Sequence, residues 1–281
     1  MTALACELPA QRAAPLSRYS TADLARLIAA HTDAPPMSRS TIWRILDRDA
    51  LKPWRFRSWL FPRDPDFAAK AGRVLDLYAG LWEGQPLSPD DGVLSADEKT
   101  SIQARVRCHA SQPPAPGYPA YLEHEYERGG ALAYLAAWDV RRGQIQGRCE
   151  DKTGKAPVGR LVDQVMRQEP YRSAPRVFWI VDNGSSHRGA KAARELEARY
   201  PTLIVVQLPT HASWLNQVEI YFSIIQRKVL TPHDGTDLAA VEHRLLAYEG
   251  LYNDTAHPFA WRFTREDLAR RLAQPDLAQA A

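Results

Sequence analysis

Five consecutive apolar residues, Val177-Phe178-Trp179-Ile180-Val181, run straight into Asp182. A strand apolar on both faces must be covered on both, and such strands belong to parallel sheets held between helices. Leu203 to Leu208 is a second run of this kind, and Ala190 to Tyr200 between them reads as a helix. Upstream the texture is different. Val93-Leu94-Ser95-Ala96-Asp97 begins a strand that continues through Ala104. Ala131 to Val140 is a second strand, Arg141-Arg142-Gly143 its turn, and Gln144 to Cys149 the antiparallel partner. A helix over Gly159 to Gln168, with Leu161, Val162 and Val165 inward, joins the two halves. The expected fold class is therefore α/β, a mixed sheet with antiparallel strands at one end and βα units at the other. Helices follow over Leu215 to Leu230 (stripe Leu215, Val218, Phe222, Ile225, Val229), over 237–252 and over 265–272.

The N-terminal part is organised differently. Residues 1–19 have little periodicity and read as a loose arm. Ser20 then caps a helix with Leu24, Leu27 and Ile28 on its apolar face. The stretch from His31 to Pro36 breaks it. A second helix over Ser38 to Arg48 turns Ile42, Ile45 and Leu46 inward and Arg39, Ser40, Arg44 and Arg48 outward. Helix, short break and basic helix form the outline of a helix-turn-helix, a small all-α domain. The expected boundaries are 1–61 for that segment, 62–92 for a linker with a connecting helix over 66–83, and 93–281 for the α/β domain.

The charge balance of +3 is a weak hint of an anionic partner, so any electrostatic footprint must be local. Three cysteines, Cys6, Cys108 and Cys149, lie far apart; neither a disulfide framework nor a zinc site is expected, and a reducing compartment fits. No apolar run is long enough to span a bilayer and no signal-peptide core is evident, so the expectation is a cytoplasmic protein without a membrane partner.

Three acidic residues stand in patterned contexts. Asp97 and Asp182 lie at or near the ends of β-type runs, and Glu219 lies within a helical pattern at the edge of its apolar stripe. Such an arrangement can gather three oxygen ligands around divalent metal ions, and with a basic segment upstream it suggests phosphodiester chemistry on DNA. Each carboxylate has the plainer reading of a solvated residue at an element's end, and Glu98 is expected to be structural. Asn183, His187, His211 and Asn216 either orient the carboxylates and touch phosphate or serve local turns. Trp214 either stacks on a flipped or terminal base or, the favoured reading, is buried at a helix N-terminus. Arg39, Ser40, Thr41 and Arg44 are candidates for base-edge or phosphate contacts, and Lys52, Arg55 and Arg57 for phosphates or the minor groove. The plainer alternative is a solvated basic face.

Ser95-Ala96-Asp97-Glu98, Val181-Asp182-Asn183 with His187, and His211-Ala212-Ser213-Trp214-Leu215-Asn216-Gln217-Val218-Glu219 resemble the signatures of the IS630 family of bacterial transposases, relatives of the Tc1/mariner group. The resemblance implies a ribonuclease H-like catalytic domain whose Asp-Asp-Glu triad binds two Mg²⁺ or Mn²⁺ ions. Asp97 would then bridge both ions, with Asp182 holding one and Glu219 the other. It also implies cut-and-paste transposition at the terminal inverted repeats of an insertion sequence, a homodimer on double-stranded DNA, and a nucleoid-associated bacterial location. Family members usually carry a further helix-turn-helix upstream, and the chain begins too late to hold one, so the expectation is a shortened copy or one with a misplaced start. The alternatives are a decayed copy that only binds DNA, or a ribonuclease H-like nuclease or resolvase. A purely transcriptional regulator would leave three metal-ligand candidates without a role.

Overall fold

The computed structural model describes residues 1–31, 35–55, 64–182 and 190–273. The chain forms two compact units, Met1–Phe61 and Pro62–Ala281.

In the first unit α1 (Thr2–Ala5), α2 (Thr21–His31) and α3 (Arg39–Arg48) enclose a small core of Leu4, Ala5, Tyr19, Leu24, Ile28, Ile42 and Leu46. Both longer helices start where their caps dictate. The Ser20 hydroxyl accepts from the Asp23 amide at 3.2 Å and the Asp23 carboxylate accepts from the Ser20 amide at 2.9 Å, so two orphan donors are satisfied reciprocally. Ser38 caps α3 through the Thr41 amide at 3.1 Å. Residues 1–19 are not the loose arm their lack of periodicity suggested. Leu4 and Ala5 are buried from α1 and Tyr19 is 1% exposed, and a helix this short is invisible to a period count.

The second unit opens with α4 (Phe67–Tyr78), which ends earlier than the expected 66–83. Gly80 and Gly84, at φ +79° and +78°, turn the chain into a hairpin of β1 (Leu81–Trp82) and β2 (Gln85–Pro86), with Leu81 exposed. The main elements then follow: β3 (Gly92–Val106), β4 (Glu127–Asp139), β5 (Ile145–Glu150), α5 (Lys155–Met166), β6 (Val177–Val181), α6 (Ala190–Arg199), β7 (Leu203–Gln207), α7 (Val218–Lys228), α8 (Leu238–Asn253) and α9 (Arg265–Leu272). Helix α5 starts before the expected Gly159, with Pro157 in a first turn that needs no amide donor. The α7 region is not one helix from Leu215; a 3-10 turn over Ser213–Leu215 and an extended Asn216 precede it.

The sheet has five strands in the order β5-β4-β3-β6-β7. Neighbours β5/β4 and β4/β3 are antiparallel, while β3/β6 and β6/β7 are parallel. This is the mixed sheet expected from the sequence. Alternation along the strands divides the core. Val93, Phe178 and Ile180 pack with Val218, Tyr221, Phe222 and Ile225 of α7. Leu94, Ala96, Val177, Trp179 and Val181 pack on the other face with Leu161, Val162 and Val165 of α5. Helices on both faces explain why β6 is buried at every position. Cys6, Cys108 and Cys149 are free thiols. Among the described residues no helix is long and apolar enough to cross a membrane.

Candidate active site

Strand register sets the two aspartates side by side. In the parallel ladder Ala96 of β3 pairs with Val181, the last residue of β6; Asp97 follows on β3 and Asp182 is the first residue after β6. On β3 the residues Val93, Ser95, Asp97 and Lys99 alternate onto the face that α7 covers. Glu219 stands in the first turn of α7, an end of a helix whose dipole favours negative charge.

The three carboxylates lie within range of one another's charge. Asp97 is 9% exposed, and burial together with the charges of Asp182, Glu219 and Glu98 pushes its carboxyl up to about 7, against the opposing hydrogen bond from the Glu98 amide. Burial also raises Glu219; the Lys99 ammonium acts against this and the Asp182 charge with it. Burial in turn lowers Lys99.

A buried hydrogen-bond network ties strand to helix. The Asn216 side-chain amide donates to Oδ2 of Asp97 at 3.1 Å and to the Ala96 carbonyl at 3.2 Å. Its oxygen accepts from the Ser95 hydroxyl. Ser95 Oγ accepts in turn from the Val218 amide at 3.0 Å, capping α7 one residue before Glu219. From the α4 side, the Tyr78 hydroxyl donates to the Leu215 carbonyl at 2.7 Å. Asp97 Oδ1 accepts from the Glu98 amide at 2.8 Å, so each of its oxygens has a donor.

Of the residues singled out in the sequence, Asp97, Asp182, Glu219 and Asn216 come together here. His211 is exposed on the loop after β7 at φ +62°. Asn183, His187 and Arg57 lie outside the described residues. Trp214 is not buried, contrary to the favoured expectation; it is 47% exposed and meets Phe263 edge-on, because the 3-10 turn swings it off the buried stripe. Sequence reasoning missed Ser95 and Lys99. The available signal was period two, since both share a strand face with Asp97.

A family model described as DDE superfamily endonuclease matches residues 92–238, just over half of the chain. The chain belongs to that family. The match runs from the start of β3 to the start of α8 and so takes in Asp97, Asp182 and Glu219. No curated protein matches the sequence significantly. Among solved structures the chain is similar to the Mos1 mariner paired end complex with Mn, at 15% identity and TM-score 0.50, over 84% of this chain and 73% of that one. The Mos1 strand transfer complex gives 16% identity and TM-score 0.49, over 84% and 72%. At these identities the likeness is one of fold.

For a DDE superfamily endonuclease the donor set is telling. Among the described residues it offers carboxylate oxygens, and burial, reinforced by the neighbouring negative charges, already pushes the Asp97 carboxyl up to about 7. A hard divalent cation fits such a set, because its charge would relieve that repulsion and it prefers oxygen ligands. Among the described residues no three His, Cys, Asp or Glu side chains are drawn tightly enough to form a finished metal cage. Mg²⁺ keeps several waters and needs few protein ligands, which suits a site of this openness.

Proposed function

We propose that this DDE superfamily endonuclease is a transposase of the IS630 type, which cuts an insertion sequence at its terminal inverted repeats and joins the ends to new DNA. The observation that carries the reading is the register of Asp97 and Asp182, with the Asn216–Ser95 network fixing the helix that bears Glu219. In this reading the three carboxylates hold two Mg²⁺ or Mn²⁺ ions. Bound there, such ions would activate the attacking oxygen and stabilise the leaving one in an in-line displacement at phosphorus. The protein's own part is positioning. Asn216 holds the Asp97 carboxylate, Ser95 holds the first turn of α7, and Lys99 offsets charge at Glu219.

The N-terminal unit is read as the helix-turn-helix that recognises the ends. Arg39, Ser40 and Arg44 are exposed on α3 and Thr41 is half-buried, and Lys52 and Arg55 are exposed after it. Such a surface suits guanine edges and phosphates. Two ends have to be cut and joined together, so a homodimer on double-stranded DNA, in the bacterial cytoplasm at the nucleoid, completes the reading.

A second reading is a silent copy that binds DNA without cutting it. Incubating the protein with duplexes carrying its element's terminal repeats and Mg²⁺ separates the two. Cleaved and joined products support the transposase; binding without products supports the silent copy.

A further inference from the structure

Trp214 takes no part in the carboxylate network, yet it lies two residues before Asn216 and is half exposed. Its ring stands perpendicular to that of Phe263, with centroids 5.2 Å apart at 86°, and about half of the side chain stays exposed. Phe263 is firmly placed. The segment between α8 and α9 alternates Phe259, Trp261 and Phe263; Phe259 stacks on Trp138 at 4.2 Å and Trp261 meets Tyr78 at 5.3 Å. The Trp261 indole also donates to the Phe263 carbonyl at 2.9 Å.

Beyond this anchored pair the surface turns basic. Arg262, Phe263, Asp267, Arg270 and Arg271 line an open groove of about 660 Å³. The Arg271 guanidinium stands 5.5 Å from the Phe263 ring centre. Arg265 pairs with Asp76 and Arg270 with Asp267. Arg262 and Arg271 are exposed and form no close ion pair among the described residues, though the Arg271 charge reaches Asp267. Across 261–272 four arginines face only Glu266 and Asp267.

We propose that Trp214, Phe263, Arg262 and Arg271 form a platform for an unpaired DNA strand beside the carboxylates, a role that rests on the DNA-cutting reading of that site. An unpaired base stacks on the exposed part of the Trp214 ring, while the two arginines take the adjoining phosphates. A duplex hides its base faces within the stack, so an exposed tryptophan with exposed guanidinium groups nearby suits a strand that has been opened or cut. The sequence position matters as much as the chemistry. Trp214 and Asn216 share one short turn, so a base held at Trp214 places its strand near Asp97.

The test is binding of a labelled 12-nucleotide single strand to the full chain in EDTA, followed by fluorescence anisotropy across a salt series. Trp214→Ala should weaken binding about 5- to 150-fold, and Trp214→Phe should retain most of the affinity. Arg262→Ala/Arg271→Ala should make the salt slope shallower by about 1.4, from about 0.7 per phosphate contact. Binding of the matching duplex should be unchanged by Trp214→Ala. Unaltered single-strand affinity in Trp214→Ala and an unaltered slope in the double variant would overturn the platform, as would an equal loss on duplex. No metal or cleavage enters this assay, so a failure of the catalytic reading would show separately, as absence of cleavage with the binding pattern intact.

Discussion

The side-chain amide of Asn216 donates to Asp97 Oδ2 at 3.1 Å across a contact shielded from solvent. One rigid amide therefore fixes a carboxylate that burial and like charge would otherwise leave ill-placed. Asn216→Ala should reduce metal-dependent cleavage about 10- to 100-fold, the usual cost of losing a residue that orients a metal ligand. DNA affinity should stay within about twofold, because Asn216 is 1% exposed and reaches no partner surface. Parallel cleavage and binding titrations check this, and an equal loss in both would contradict it.

Ser95 acts on the other half of the site. Its hydroxyl donates to Asn216 and accepts the Val218 amide. Ser95→Ala removes a cap and leaves buried polar groups unpaired, which should lower stability by about 1–3 kcal/mol in denaturant melts. Cleavage should fall too, since the first turn of α7 carries Glu219.

A buried carboxyl outside the site sets a pH response. Burial pushes Glu249 on α8 up to about 7, and Tyr134 donates to its Oε2 at 2.8 Å. With a folded value above the unfolded 4.5, the folded state binds the extra proton between these limits. Glu249 therefore contributes fully below pH 4.5 and loses its contribution as pH rises through 7. Glu249→Gln mimics the protonated form and still accepts from Tyr134. It should match the wild type near pH 4.5 and exceed it at pH 8 by about 2–3 kcal/mol, at about 1.4 kcal/mol per pH unit. Urea melts of both proteins across this range give the comparison.

On α3, Arg44 is exposed, its Nε donating to the Ser40 carbonyl at 3.3 Å, and Arg39 is exposed one turn earlier. Replacing both by alanine should weaken binding to terminal-repeat duplex and flatten the salt slope by about 1.8, from about 0.9 per phosphate contact. An unchanged slope would return α3 to a solvated basic face.

The sheet was legible because its strands are chemically loud. Val177 to Val181 is apolar at every position, and a closing acid marks where the strand leaves the core. Asp182 followed from that logic; Asp97 stands inside β3, which runs on to Val106, and marks only the end of the strand's fully buried stretch. Ser95 was not legible, because a serine in an apolar run looks like any tolerated small residue; its role depends on Asn216, more than a hundred residues away. The break at Asn216 and Gln217 was hidden by a stripe that keeps helical spacing across a 3-10 turn. That break also moves Trp214 from the expected core to the surface. Leu4 and Tyr19 were missed because their partners, Leu24 to Leu46, lie on later helices and leave no local period.

The most direct measurement is Mn²⁺- or Mg²⁺-dependent cleavage of terminal-repeat DNA by the wild type beside Asp97→Ala, Asp182→Ala and Glu219→Ala, each first shown to be folded and DNA-bound. Each substitution should abolish cleavage while leaving binding in place. Cleavage that survives all three would contradict it, and would put the chemistry elsewhere on the molecule.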